Sequence, residues 1–386
     1  MNEIYLDANA GLPARDEAID AWTRAARDAA GNPASLHRAG RRAQGELERA
    51  RETVAAQLRC ASRELVFTSG ATEACNLALL GMVRARAAWL GRPAVLVSSL
   101  AEHPAVLGPL RVLQQEGHTL HLLPIDAHGR VEAETLRARL AEPLDLIAMQ
   151  WANNETGAVQ DLDALVDALP RETLWFCDSV QGFGKLAWSD ALERADALVL
   201  SGHKFRAPHG VGAWVLRDDV LFEAPITGGG HQGGRRPGTE NPELATALAV
   251  ALDLAMREQA AQVERWLAQT ERLLADLRTA FPQLIEHHPS DGPRLPNTLN
   301  LGFAELDGRM LLPALDAEGI AVSAGSACSS GSPEPSAVLL AAGVDEELAR
   351  ASLRISLPPN ITDETCREAA RRMVTIIGRV YEVANR

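Results

Sequence analysis

The chain has 386 residues, of which 46% are hydrophobic and 23% charged, the balance of an ordinary globular protein and not of a disordered one. Its formal net charge of -13 argues against nucleic acid or an anionic membrane surface as the main partner. At this length a sizeable core and more than one domain are expected.

The opening residues, Met1 to Asp7, lack the basic and apolar regions of a signal peptide. No apolar run approaches the length of a membrane span, so no membrane partner is expected. Five cysteines (Cys60, Cys75, Cys177, Cys328 and Cys366) are scattered without a CxxC pair. That pattern fits reduced thiols better than a disulfide framework or a zinc site. A cytoplasmic protein without a metal is the expectation.

In chain order, apolar runs predict strands at Leu65–Phe67, Ala94–Val97, Leu120–Leu123, Leu146–Met149, Leu174–Cys177, Ala197–Leu200 and Ala213–Leu216. Helical patterns fall between them at Ala71–Leu90, Pro104–Glu116 and Leu162–Leu169. Apolar strands without alternation, separated by helices, predict an α/β fold with a mostly parallel seven-stranded sheet covered on both faces. After Asn241 the pattern changes. A long helix from about Glu243 to Ala280 leads to a strand at Thr298–Leu301, a helix near Gly308–Glu318, short strands at Ile320–Val322 and Leu353–Ser356, and a closing helix from Asp363. This predicts a smaller α+β domain: residues 15–255 form the large domain, and 1–14 with 256–386 the small one.

Ligands of open α/β sheets sit at the carboxyl ends of the strands, and polar clusters fall at those ends here. Thr68-Ser69-Gly70-Ala71-Thr72-Glu73 joins a strand to a helix whose N-terminus could receive an anion; a plain turn with a Ser or Thr cap would read the same way. His103 follows a strand and opens a helix before Pro104, where it could face a ligand or be merely structural. Asn153-Asn154-Glu155-Thr156-Gly157 and Asp178-Ser179-Val180-Gln181-Gly182 end the next two strands. Asp178 emerges from an apolar run and wants a cationic partner, unless it caps a helix. Last comes Ser201-Gly202-His203-Lys204-Phe205, a polar turn between two buried strands.

Of the 38 basic residues only Lys185 and Lys204 are lysines, and arginine cannot form an imine. Lys185 lies in a Gly-flanked loop read as remote from the other clusters, which leaves Lys204. An anion-binding turn, an aromatic His, an acid behind a strand and a lysine are the parts needed for pyridoxal 5'-phosphate. Cys328 stands apart from the other cysteines. It lies among small polar residues, Ser323 to Ser332, and so does not fill a core, although an incidental loop thiol would look alike.

These motifs together resemble the NifS/IscS-like cysteine desulfurases, in the class V aminotransferase superfamily of fold-type I pyridoxal-phosphate enzymes. The resemblance runs from Tyr5-Leu6-Asp7 to Ile355-Ser356-Leu357. It rests on Gly31-Asn32-Pro33-Ala34-Ser35, Ser69 to Glu73, Glu102-His103, Asn153 to Gly157, Ser201 to Lys204, Arg235-Arg236-Pro237-Gly238-Thr239-Glu240-Asn241 and Gly325-Ser326-Ala327-Cys328-Ser329-Ser330. It implies that Lys204 holds the cofactor, His103 stacks on its ring, Asp178 pairs with the ring nitrogen and Gln181 bonds the ring oxygen. It implies that Ala71, Thr72, Ser201 and His203 contact the phosphate, with Thr239 reaching it from the partner of a homodimer. Asn154, also placed beside the cofactor, and Arg354 match the positions that hold the substrate carboxylate.

The reaction implied is conversion of L-cysteine to L-alanine, with sulfur passing to Cys328 as a persulfide. Cys328 would ride on a mobile loop at about 323–334 and deliver sulfur to an acceptor protein, an iron–sulfur scaffold being one candidate. Three places depart from the family pattern: Ala10-Gly11 after the opening aspartate, Trp151, and His209 where lysine is frequent. Rival readings are a selenocysteine lyase, another class V aminotransferase-fold enzyme, and a non-catalytic subunit that binds a sulfur carrier.

Overall fold

The computed structural model describes residues 3–139, 143–324 and 334–384. The chain opens with β1 (Ile4–Tyr5) and then two helices, α1 (Asp16–Asp28) and α2 (Arg38–Gln57), which the apolar pattern does not announce. The buried face of α1 consists of Ala18, Ala21 and Ala25, too small to stand out as an apolar stripe.

The large sheet follows: β2 (Leu65–Thr68), α3 (Ala71–Leu90), β3 (Val95–Ser99), α4 (Pro104–Gln115), β4 (Thr119–Leu123), α5 (Ala133–Arg139), β5 (Leu146–Gln150), α6 (Leu162–Ala168), β6 (Leu174–Asp178), β7 (Ala197–Ser201) and β8 (Gly212–Leu216). Its seven strands lie in the order β2-β8-β7-β6-β5-β3-β4, and only β8 runs antiparallel to its neighbours. All seven predicted strands are present, each within two residues of its expected limits. One core packs α1, α2 and the start of the long helix that begins at Pro242 against one face of the sheet; a second, built on α3 and α4, covers the other. Burial on both faces is why these strands read as unbroken apolar runs.

The 39-residue helix α7 (Pro242–Ala280) starts with Pro242 at its first turn and the Asn241 side chain accepting from the Leu244 N–H, a pairing that fixes its start. Its first half, Ala245 to Leu252, belongs to the sheet's core, whereas Trp266, Leu273, Leu274 and Leu277 belong to a third, separate core. β9 (Ile285–Glu286) pairs with β10 (Thr298–Gly302), and that third core gathers side chains of β10, α8 (Gly308–Ala317), β11 (Ile320–Ala321), β12 (Ser352–Ser356) and α11 (Asp363–Ala384), with the short helices α9 (Ala337–Ala341) and α10 (Glu346–Arg350) leading into β12. β1 joins it, pairing in parallel with β11, so the first residues return to pack with the last third of the chain. Among the described residues no helix is long and apolar enough to cross a membrane.

Candidate active site

Strands β2, β3, β5, β6 and β7 present their polar ends along one edge of the sheet, and there they wall a cleft of about 550 Å³. The cleft gathers Ala71, Thr72, His103, Asn154, Asp178, Gln181, Ser201, His203 and Lys204, and Arg354 reaches it from β12. From Ala71 to Lys204, residues scattered over 134 positions of sequence thus meet because parallel strands bring their carboxyl ends to one side.

Helix α3 begins at Gly70 with no side-chain cap, so its first N–H groups and dipole face the cleft. The Ser or Thr cap that would have made this a plain turn is not used: the Thr68 hydroxyl donates instead to the Gly70 carbonyl at 3.0 Å. Across from it the Ser201 hydroxyl and His203 Nδ1 lie 3.0 Å apart, and His203 stacks on His209 with ring centres 5.2 Å apart. Burial, Lys204 and His209 push the His203 pKa down to about 4, so this ring is neutral at pH 7.

Asp178 caps no helix. Its Oδ1 accepts from the Val180 N–H at 3.0 Å, the chain continues as a turn, and the carboxylate borders the cleft. Burial raises its pKa, while His103 and Lys204 pull in the opposite direction. His103 caps α4: its Nδ1 accepts from the Ala105 N–H at 3.0 Å, which in the neutral ring leaves the proton on Nε2. Its pKa is lowered by burial, partly offset by Asp178. Beneath it, burial raises the Glu102 pKa to about 8; one carboxyl oxygen takes the Gln150 N–H at 2.9 Å and the Ser99 hydroxyl at 3.1 Å.

Lys204 projects from a turn after β7 and donates to the backbone carbonyls of Asn9 and Ala10 at 2.6 and 2.9 Å. Arg354, fully buried, pairs with Asp7 at 2.6 Å and donates to the Asn154 carbonyl at 3.3 Å. Thr239 does not line the cleft of this chain and is exposed, three residues after Arg236, which pairs with Glu73 at 2.7 Å. Cys328 lies outside the described residues.

One expectation needs correcting. Lys185 is not remote from the clusters: a turn carries it back beneath the cleft, fully buried, where Nζ donates to Gln181 Oε1 at 2.5 Å and Asn9 Oδ1 at 2.9 Å. Asn9 and Glu155 are further polar residues of this region that sequence reasoning gave no role. Only the scarcity of lysine pointed at Lys185. Of the three departures, Gly11 and His209 both stand beside His203, whereas buried Trp151 covers Gly182 and meets Phe183 edge-on at 5.9 Å.

Residues 4–366 match the family model for class-V aminotransferases. The chain belongs to the class-V aminotransferase family. It is 36% identical to the cysteine desulfurase IscS of Dictyoglomus turgidum, over 94% of this chain and 91% of that protein. It is 33% identical to the cysteine desulfurase NifS of Azotobacter vinelandii, over 100% and 95%. Its structure superposes on a solved NifS-like protein with a TM-score of 0.89 at 30% identity, over 97% and 99% of the two chains. DndA from Streptomyces lividans gives 0.77 at 34% identity, over 92% and 99%. The chain is therefore a cysteine desulfurase of the NifS/IscS-like group, with the α/β fold of that group's pyridoxal-phosphate enzymes.

The family depends on pyridoxal phosphate, and the residues of the cleft suit it. An uncapped helix N-terminus, a hydroxyl and two histidines offer donors to a phosphate. A buried carboxylate at the opposite side suits a protonated ring nitrogen, because a charge there needs a cationic partner.

Proposed function

We propose that the cleft holds pyridoxal phosphate on Lys204, and that Cys328 receives the sulfur of L-cysteine. The observation that carries this reading is the meeting of Lys204, Asp178, His103 and the open start of α3 in one cleft with Arg354. Bound there, the cofactor supplies an electron sink that lets a proton leave the substrate Cα.

The chain's own residues do the rest. Ala71, Thr72, Ser201 and His203 hold the phosphate, with Thr239 contributed by the second subunit of a homodimer. Asp178 would keep the ring nitrogen protonated, Gln181 would offer its amide to the ring oxygen, and His103 would cover the ring. Lys204, once its amine is free, moves the proton at Cα. Asn154 and Arg354 orient the substrate carboxylate, for which the Arg fork is well shaped. His103, which carries its proton on Nε2 and so meets the cleft as a donor, is placed to handle a proton on the substrate thiol or on the ring side. The Cys328 thiolate takes the sulfur: an S–S bond forms and the substrate C–S bond breaks with its electron pair. The remaining amino acid takes a proton at Cβ, regains the one at Cα and leaves as L-alanine.

Two observations support Cys328. The other four cysteines are all made poor nucleophiles by burial: Cys60 is pushed up to about 12, Cys366 to about 11, and Cys75 and Cys177 well above the usual value. The residues flanking the stretch that contains Cys328 are tied to the cleft. Ser323 exchanges backbone hydrogen bonds with Arg354 at 2.7 and 3.1 Å, and Ser336 donates to the carboxylate of Glu155. Four residues beyond Ala324, Cys328 has a reach of up to about 14 Å.

The enzyme's sulfur goes on to an acceptor protein, in the cytoplasm, as the reduced and scattered cysteines suggest. The solved SspA, 28% identical to this chain, was captured with cysteine, which supports the same substrate here. The change of core partway along α7 supports a large domain of residues 15–255 and a small one of 1–14 with 256–386. Cys328→Ala should keep the visible absorbance of the loaded enzyme and lose cysteine-dependent alanine and sulfide release. Full activity in that variant would sink the role of Cys328.

A further inference from the structure

Asn9 holds both lysines of this protein. Its backbone carbonyl accepts from Lys204 Nζ at 2.6 Å and from Gln181 Nε2 at 3.2 Å. Its side-chain oxygen accepts from Lys185 Nζ at 2.9 Å and from Asn297 at 3.4 Å. Its amide nitrogen donates to the Asn154 carbonyl at 3.1 Å and the Thr298 hydroxyl at 2.9 Å, and its N–H to the Ser356 hydroxyl at 3.0 Å. Every hydrogen-bonding position of this buried asparagine is filled, which fixes it firmly, since any alternative would strand a buried polar group.

The second acceptor on Lys185 is Gln181. Four residues apart, the two meet because the chain turns tightly through Gly182 and Gly184, the latter at φ +74°. An amide has one acceptor end and one donor end; Lys185 Nζ donates to the acceptor, and the Asn9 carbonyl, which can only accept, takes the donor end. With Oε1 committed to Lys185, Gln181 must turn its NH2 toward the Asn9 carbonyl and the cleft.

We propose that Lys185 is a positioning residue of the reaction: by donating to Gln181 and Asn9 together, it aims the Gln181 NH2 into the cleft and holds the carbonyl that receives Lys204. Burial and the neighbouring Lys204 favour its neutral amine, whose two N–H groups match the two oxygens it meets. Lys185 does not border the cleft and touches no substrate. The inference rests on the cleft being the cofactor site.

The test is a pH titration of the visible band of the purified holoenzyme. A donor aimed at the ring oxygen favours its anionic form, so losing that donor raises the pH at which the proton leaves. Lys185→Met should move the midpoint upward by about one pH unit, as expected for one charge-assisted contact. Gln181→Met should move it equally, and the double variant no further, because both changes remove one interaction. Lys185→Arg, which keeps donors, should return the midpoint toward the wild type. Lys185→Leu gives the same reading should the methionine variant not fold. An unmoved midpoint in Gln181→Met or in either apolar variant overturns the proposal, as does an equal shift in Lys185→Arg. A wild-type protein that takes up no cofactor would instead sink the reading of the cleft.

Discussion

Asp178 and His103 share one patch of buried space, and each sets the other's proton affinity. Burial disfavours the charged form of both, so it raises the Asp178 pKa and lowers that of His103 below 6.5, while their mutual attraction works against both shifts. His103 therefore stays neutral until the pH falls below 6.5, and the acid limb of kcat/KM for cysteine should lie below that value. In Asp178→Asn the charge that favours protonated His103 is gone, so the limb should move to lower pH. The same change should lower kcat by about 10²- to 10³-fold, the usual cost of losing one preorganised electrostatic partner. A pH–rate profile of the two enzymes reads both effects; an acid limb that moves upward in Asp178→Asn would contradict the pairing. At this scale the sequence was informative where a residue type is rare or its neighbours unusual. Lys204 stood out as one of two lysines and Cys328 as a thiol among Gly and Ser. Asn9 was illegible because its role lies in partners 145 to 347 positions away.

The turn from β3 into α4 shows what an element contributes. Ser99 to Glu102 folds back so that the Glu102 carboxyl is buried beneath the cleft floor, with one oxygen doubly bonded and the other without a hydrogen-bond partner among the described residues. Its folded pKa of about 8 lies above its ordinary 4.5, so the folded state keeps a proton that the unfolded chain releases. Wild-type stability must then fall as pH rises from 4.5 to 8. Glu102→Gln does not titrate, so its melting temperature relative to the wild type should climb across that window and level off above pH 8. Calorimetry over pH 5 to 9 checks this, and a difference that shrinks with rising pH would contradict it. The strands themselves were legible because each is buried on both faces. Helices α1 and α2 were not, since alanine, glycine and arginine supply most of their buried positions and leave no strong apolar stripe to detect. Trp151, one of the departures from the family pattern, packs behind the cleft, where a Cβ on Gly182 would sit 2.0 Å from its ring.

Over the whole molecule, two bodies of packing meet along the cleft. The sheet supplies Lys204, Asp178 and His103, while the third core supplies Arg354 on β12, and the first residues of the chain bind the two together. Asp7 pairs with Arg354, Asn9 receives both lysines, and β1 lies on β11. The sequence announced the sheet and the later α+β pattern and placed residues 1–14 with the small domain, but the particular contacts of that first segment are encoded in no local pattern. The net charge of -13 argues against nucleic acid as the main partner, which suits the proposed hand-over of sulfur to another protein. The most direct measurement is mass spectrometry of the holoenzyme after brief incubation with L-cysteine and no acceptor. The peptide containing Cys328 should carry one added sulfur atom, removable by a thiol, with L-alanine formed in equal amount. Alanine produced with Cys328 unmodified, or sulfur found instead on another cysteine, would contradict the account.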